Sequence, residues 1–377
     1  MKRYLDNLVM IDLASKAVVL TGPRQVGKTT LSRQLMKLYD NAQYLNWDVL
    51  ADRMVLQRQS WNPRAGLLVM DEIHKMPDWK AWLKGVADGR SAGQALLVTG
   101  SARMDTFRQT GDSLAGRYFS FKLHPISVKE WCEQQGVSPA IALDHLLERG
   151  GFPEPCLAED VVQADRWRAQ YFTDIIREDV LEFSRLHEIN TMKMFVELLR
   201  ERVGSPLSLA SIARDLAVSP TTLKRYLEIL QALFIVFTVH PWHHNIARAI
   251  LQAPKVYFFD TGLVRGDQGA RLENAVAGML LKQADFLRDS AGRDAGLHYV
   301  RTKDDAEVDF ALSENGKLTQ LIECKLGDNK PHRALLRFAA QFPEAEAVQI
   351  VFNLRQEEFI NGIAITDAAN WLAKLAA

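Results

Sequence analysis

A chain of 377 residues is long enough for two or three domains and a sizeable core. Lysine plus arginine and aspartate plus glutamate both number 46, which excludes a global basic field for nucleic acid and an acidic tail, so any nucleic-acid surface is local. The cysteines Cys132, Cys156 and Cys324 are far apart and form no Cys-x-x-Cys pair, which argues against a zinc site or a disulfide framework and fits a reducing cytoplasm.

Met1-Lys2-Arg3 is followed by Asp6 and Asp12, so the first apolar stretch has no signal-peptide core, and the run from Ile229 to Val239 is too short to span a bilayer. A cytoplasmic protein with no membrane partner is expected. Ala17-Val18-Val19-Leu20 reads as a buried strand. After Thr21, the residues Gly22-Pro23-Arg24-Gln25-Val26-Gly27-Lys28-Thr29 fit the pattern Gly-x-x-x-x-Gly-Lys-Ser/Thr, and Leu31, Leu35 and Leu38 then fall at helical spacing. An ordinary glycine-rich turn is the bland alternative, but a strand before and an amphipathic helix after are the setting of a phosphate-binding loop. Its backbone N–H groups, through Thr30, curl around phosphates at the positive end of the helix dipole. Lys28 is expected to reach the β- and γ-phosphates and the Thr29 hydroxyl to bind Mg²⁺.

Leu67-Leu68-Val69-Met70-Asp71-Glu72 is a second apolar strand ending in adjacent carboxylates. Asp71 is placed to hold the Mg²⁺ through water and Glu72 to orient or deprotonate the attacking water, which points to nucleotide hydrolysis. A third strand, Ala95-Leu96-Leu97-Val98-Thr99, runs into Gly100-Ser101-Ala102-Arg103. Arg117 follows, either as a guanidinium for the γ-phosphate of its own or a neighbouring subunit or as a plain surface arginine.

These stretches, with Leu114-Ala115-Gly116-Arg117, resemble the motif series of prokaryotic AAA-type ATPases that carry a conserved C-terminal region. Gly150-Gly151-Phe152-Pro153, Asp174-Ile175-Ile176-Arg177-Glu178-Asp179-Val180 and Phe259-Asp260-Thr261-Gly262-Leu263 match the same family without naming a chemistry. The resemblance implies ATP as the nucleotide and a homo-oligomer in which a neighbour's arginine completes the site. It also implies a γ-phosphate sensor at the end of the third strand: Ser101 first, Thr99 second, each with a strand-capping hydroxyl as the alternative. Ala102 stands where the family often has a second small hydroxyl residue.

From Ile126 to Arg202 the apolar spacing is helical, as for a lid, with Arg177 on a charged stretch. Leu207 to Leu216 reads as a short helix, Ala217-Val218-Ser219 as a turn, and Pro220 to Leu230 as a second helix with Ser219 as N-cap and Pro220 at its first position. This is a helix-turn-helix, and Phe234 to Val239 is placed to begin a β wing. Thr221, Thr222, Lys224 and Arg225 are the candidate DNA contacts. Residues 193–250 hold seven Lys or Arg against four Asp or Glu, a net of +3, and winged helices also dock proteins, so a protein-binding role stays open.

Near the C-terminus, Glu323 and Lys325 share one face of the strand Gln320 to Lys325. If Asp309 lies on the neighbouring strand, Asp309 and Glu323 converge on a divalent metal and Lys325 holds a water beside it. The arrangement is similar to the PD-(D/E)XK nuclease superfamily, with Glu273 where an earlier helical glutamate is expected. Such a domain cleaves DNA or only grips it.

The expected fold class is therefore α/β: a P-loop NTPase (RecA/AAA-like) parallel-sheet domain over residues 1–125, a helical and winged-helix middle over 126–255, and an α/β restriction-endonuclease-like domain over 256–377. The first functional reading is an ATPase, using ATP and Mg²⁺, that binds and remodels duplex or branched DNA. The alternative is a nucleotide-driven regulatory switch whose later domains bind protein partners.

Overall fold

The computed structural model describes residues 1–91, 93–100, 116–175, 186–243, 252–328 and 330–377, without the side chains of 186–188. Two compact units emerge, the first from residues 1–124 and 232–234, the second from 125–231 and 235–377.

The first unit is built on a five-stranded parallel sheet of β1 (Ala17–Thr21), β2 (Gln43–Asn46), β3 (Leu67–Asp71), β4 (Ala95–Thr99) and β5 (Tyr118–Lys122), in the order β2-β3-β4-β1-β5. β1, β3 and β4 are buried at every position, as their unbroken apolar runs require of inner parallel strands covered on both faces. The edge strands β2 and β5 are half-buried. Because all strands point one way, the segments after β1, β3 and β4 emerge along one edge of the sheet, where ligands bind in such folds. β4 separates the phosphate-loop strand from the carboxylate strand.

The second unit carries an eight-stranded sheet of β6 (Val236–Pro241), β7 (Lys255–Phe258), β8 (Ala295–Arg301), β9 (Glu307–Glu314), β10 (Lys317–Lys325), β11 (Glu346–Val351), β12 (Glu358–Ile360) and β13 (Ile363–Asp367). Their order is β12-β13-β11-β10-β9-β8-β6-β7. A 24-residue helix, Gln268–Ala291, packs on β7 to β10; Asp267 caps it by accepting from the Ala270 N–H at 2.9 Å. Helix Arg333–Gln341 makes the crossover between the parallel strands β10 and β11, burying Leu335 and Phe338.

β7 runs across the expected boundary at 255/256. β6, expected to open a wing, pairs antiparallel with β7 and parallel with β8, so the middle and last segments share one sheet. The family stretches around Gly150 and Asp260 also meet in this unit. Arg168, on helix Val161–Ile175, donates to Asp260 at 3.0 Å and to the Arg149 carbonyl. Gly150 has φ +72°, and a Cβ there would fall 1.9 Å from Asp260 Oδ1. These stretches build a buried ion pair and its close-packed surround.

Candidate functional site

The phosphate loop turns on two glycines in the left-handed half of backbone space, Gly22 (φ +140°) and Gly27 (φ +104°). A Cβ on Gly22 would lie 2.3 Å from the Leu123 carbonyl oxygen, so the close approach of β5's end admits no side chain. Gly27 opens helix Lys28–Met36 without a side-chain cap, so the loop feeds directly into a helix N-terminus. Lys28 is 7% exposed, and its ammonium donates to the carbonyls of Gly22 (3.0 Å) and Pro23 (2.7 Å). Burial lowers its pKa to about 8, against the opposing pull of Glu72 and Asp71.

Asp71, buried at the tip of β3, gathers donors from several elements. Its Oδ2 accepts from Thr29 Oγ1 at 3.2 Å and from the Tyr44 hydroxyl, and its Oδ1 from Thr99 Oγ1 and the Glu72 N–H (3.1 Å). Glu72 adopts φ +56°, unusual for a non-glycine residue and of the kind that clusters at functional sites. Its carboxylate stands 3.5 Å from Lys75 Nζ and 3.6 Å from His74 Nε2, and Lys75 also pairs with Asp48. Burial raises the Glu72 pKa, helped by the charge of Asp71 and opposed by Lys75 and Lys28. The hydroxyl of Thr29 and the carboxylate of Asp71 are hard oxygen donors brought together, and they fit Mg²⁺.

Of the hydrolysis residues named from sequence, the structure thus brings together Lys28, Thr29, Asp71 and Glu72. Ser101 lies outside the described residues, as does Arg177. Arg117 stands at the start of β5, where its carbonyl accepts from the Ala17 N–H and its Nε pairs with Asp88 at 2.7 Å. That is the end of the sheet opposite the phosphate loop, about 13 Å away along β1, so Arg117 is not aimed at its own loop. Tyr44 went unrecognised because its role depends on β2 lying beside β3, which no local pattern reveals.

In the second unit, β9 and β10 pair antiparallel with Ile322 opposite Phe310, which sets Glu323 opposite Asp309. The Asp309 N–H donates to Glu323 Oε2 (3.3 Å) and the Cys324 N–H to Asp309 Oδ2 (3.0 Å). Glu323 Oε1 lies 2.7 Å from Lys325 Nζ and 2.9 Å from His332 Nδ1. Glu273, from the long helix, accepts from the Tyr257 hydroxyl at 2.7 Å. Glu273, Asp309, Glu323 and Lys325 thus lie in one cluster of charged side chains.

A fifth, unexpected residue joins them. Lys255, 1% exposed, holds its ammonium 2.6 Å from Glu307, 3.4 Å from Glu273 and 3.9 Å from Asp309. Burial alone would lower its pKa, but Glu273, Asp309 and Glu307 together raise it. Burial, then the charge of Asp309, pushes Glu273 and Glu323 up. Among the described residues no group of three or more His, Cys, Asp or Glu side chains is placed to hold a metal ion. Asp309 and Glu323 do come side by side, but no third such ligand among the described residues joins them, and the Lys255 ammonium stands 3.9 Å from Asp309, so the cluster is a poor fit for a divalent ion.

Helix Pro220–Ala232 begins at the expected proline, and Ser219 caps it by accepting from the Thr222 N–H at 3.0 Å. Thr221, Lys224 and Arg225 are exposed; Thr222 is half-buried, its hydroxyl bonded to Ser219.

A parallel sheet with β4 between the loop strand and the carboxylate strand, and Lys28, Thr29, Asp71 and Glu72 at one edge, defines an AAA-type P-loop ATPase. Residues 14–132 match the family model described as "AAA domain"; residues 141–271 and 268–370 match two models described as domains of unknown function, DUF8612 and DUF4143. The chain is 31% identical over 316 residues to the uncharacterized protein Rv2008c of Mycobacterium tuberculosis, covering 80% of this chain and 68% of that one. It belongs to the same family. An uncharacterized protein of Haemophilus influenzae is 22% identical, over 83% of this chain and 87% of its own. Among solved structures, the Walker-type ATPase PABY2304 of Pyrococcus abyssi is similar at TM-score 0.44 and 14% identity, covering 68% of this chain and 93% of that one. A Thermotoga maritima RuvB is similar at 0.31 and 18%, covering 62% and 88%. Scores of this size carry no inference about activity. Among the described residues no helix is long and apolar enough to cross a membrane.

Proposed function

We propose that the chain hydrolyses ATP at the site formed by Lys28, Thr29, Asp71 and Glu72 and couples the turnover to binding and remodelling of duplex or branched DNA. The observation that carries the first half is the convergence of Thr29 and Asp71 beside the buried Lys28. Lys28 balances the charge on the β- and γ-phosphates as the bond to the leaving group lengthens. Glu72 takes the proton of the attacking water, a task suited to a carboxylate whose burial raises its proton affinity. Thr29 and Asp71 would hold Mg²⁺, which supplies charge neutralisation at the phosphate oxygens. Tyr44 and Thr99 fix the Asp71 carboxylate in place. Ser101 is the proposed sensor, and an arginine from a second copy completes the site in a homo-oligomer.

DNA is supported by the outer face of helix Pro220–Ala232, where Thr221, Lys224 and Arg225 are exposed together and can meet phosphates or base edges. The test is ATP hydrolysis with and without duplex, single-stranded and four-way-junction DNA at two salt concentrations. Turnover stimulated by one DNA form, weakened by salt and lost in Lys224→Ala/Arg225→Ala, is the expected result. Turnover indifferent to every DNA, with no binding at low salt, overturns the DNA reading and leaves a nucleotide-driven switch acting on protein partners.

A further inference from the structure

We propose that Lys255 is the resident cation of this carboxylate cluster, its ammonium beside Glu273 and Asp309 where an ion shared by those two carboxylates would stand, so that this centre does not cut DNA by a metal-assisted route. Three carboxylates, those of Glu273, Glu307 and Asp309, face one buried ammonium at 3.4, 2.6 and 3.9 Å. The carboxylates come from two elements, the long helix giving Glu273 and β9 giving Glu307 and Asp309 on one face, two residues apart, while a third, β7, supplies the lysine. It is the ammonium that is buried, the carboxylates being half-buried, and a buried charge needs such partners. On the other side of the cluster the buried Glu323 lies against Lys325 and His332.

Lys255 is not a long side chain swung in from the surface. Its strand is fixed on one side by pairing with Val239 and on the other by a bridge to Pro206. Its ammonium also lies 5.4 Å from the centre of the Tyr299 ring. An ion bridging Glu273 and Asp309 would stand against this ammonium and be repelled by it. The centre thus keeps the carboxylates and the lysine that a nuclease needs, and adds a built-in positive charge that takes the ion's place.

The inference concerns the second unit alone and stands or falls separately from DNA-stimulated turnover. The full-length protein, without nucleotide, is titrated with Mn²⁺ and followed by electron paramagnetic resonance, comparing wild type, Asp309→Asn, Lys255→Met and Lys255→Met/Asp309→Asn. Wild type and Asp309→Asn are expected to bind Mn²⁺ alike, whereas Lys255→Met gains a site that the double variant lacks. A tenfold or larger loss of Mn²⁺ affinity in Asp309→Asn overturns the proposal, and so does Mn²⁺-dependent nicking of plasmid that Asp309→Asn abolishes. A folded Lys255→Met protein that gains no site also overturns it. If Lys255→Met fails to fold, the wild-type and Asp309→Asn comparison decides alone.

Discussion

Asp71 is the residue on which the first unit's chemistry turns, and every donor to it comes from a different part of the chain. Removing the Tyr44 hydroxyl deletes one hydrogen bond to a carboxylate, worth about 1.5–3 kcal/mol, while leaving Thr29 and Thr99 in place. Tyr44→Phe is predicted to raise the Mg²⁺ concentration for half-maximal turnover several-fold with kcat nearly kept, read from metal titrations of ATPase rate. Glu72→Gln should lower kcat by roughly 10²–10⁴ and leave nucleotide affinity near wild type. Lys28 gives a pH signature. Its pKa is lowered to about 8, and phosphate favours the charged form, so above that pH binding must take up a proton. Nucleotide affinity is therefore predicted to hold below pH 8 and to weaken by about tenfold per unit above it, measured with a fluorescent nucleotide between pH 7 and 10.

At the scale of elements, legibility followed burial and periodicity. β1, β3 and β4 are inner strands of a parallel sheet, and their unbroken apolar runs announce them. β2 and β5 lie at the edges and are half-buried, so their residues carry no comparable pattern; Tyr44 was missed with β2. Glu323 and Lys325 were readable because a strand's alternation is local, whereas Asp309 and Glu273 were placed by the resemblance to the nuclease superfamily. Lys255 was missed, because its partners depend on where β7, β9 and the long helix come to rest. The ends of the predicted helix after Ser219 were readable because cap chemistry is local too. Gly22→Ala places a methyl group against the Leu123 carbonyl at a φ that side chains rarely adopt. It is predicted to destabilise the first unit by more than about 1 kcal/mol and to abolish nucleotide binding, checked by denaturant unfolding and by nucleotide titration.

For the molecule as a whole, the family stretches around Gly150 and Asp260, which named no chemistry, acquire a physical role. Arg168 and Asp260 form an ion pair whose side chains are 6% and 3% exposed, joining segments 92 residues apart. Asp260→Ala removes the buried one of the guanidinium's two carboxylate partners, Asp165 remaining at 2.7 Å, and is predicted to cost about 1.5–3 kcal/mol, read from urea unfolding of the second unit. A second buried pair, Lys282 with Glu130, ties the middle of the long helix to residues near the start of that unit. Lys282 lies nine residues beyond Glu273 on the same helix, about 14 Å along its axis.

That placement has a consequence for how the chain folds. The acidic centre needs Lys255 from one segment, Glu273 from the next and β9 from a third, and the helix carrying Glu273 is anchored to residue 130. Contacts over such sequence separations form only after large loops close, which makes their assembly slow. On a ribosome Lys255 is made before the carboxylates that neutralise it, so the cluster closes only after β9 has emerged, and the slowest refolding phase of the second unit should report the ordering of the Lys255 cluster.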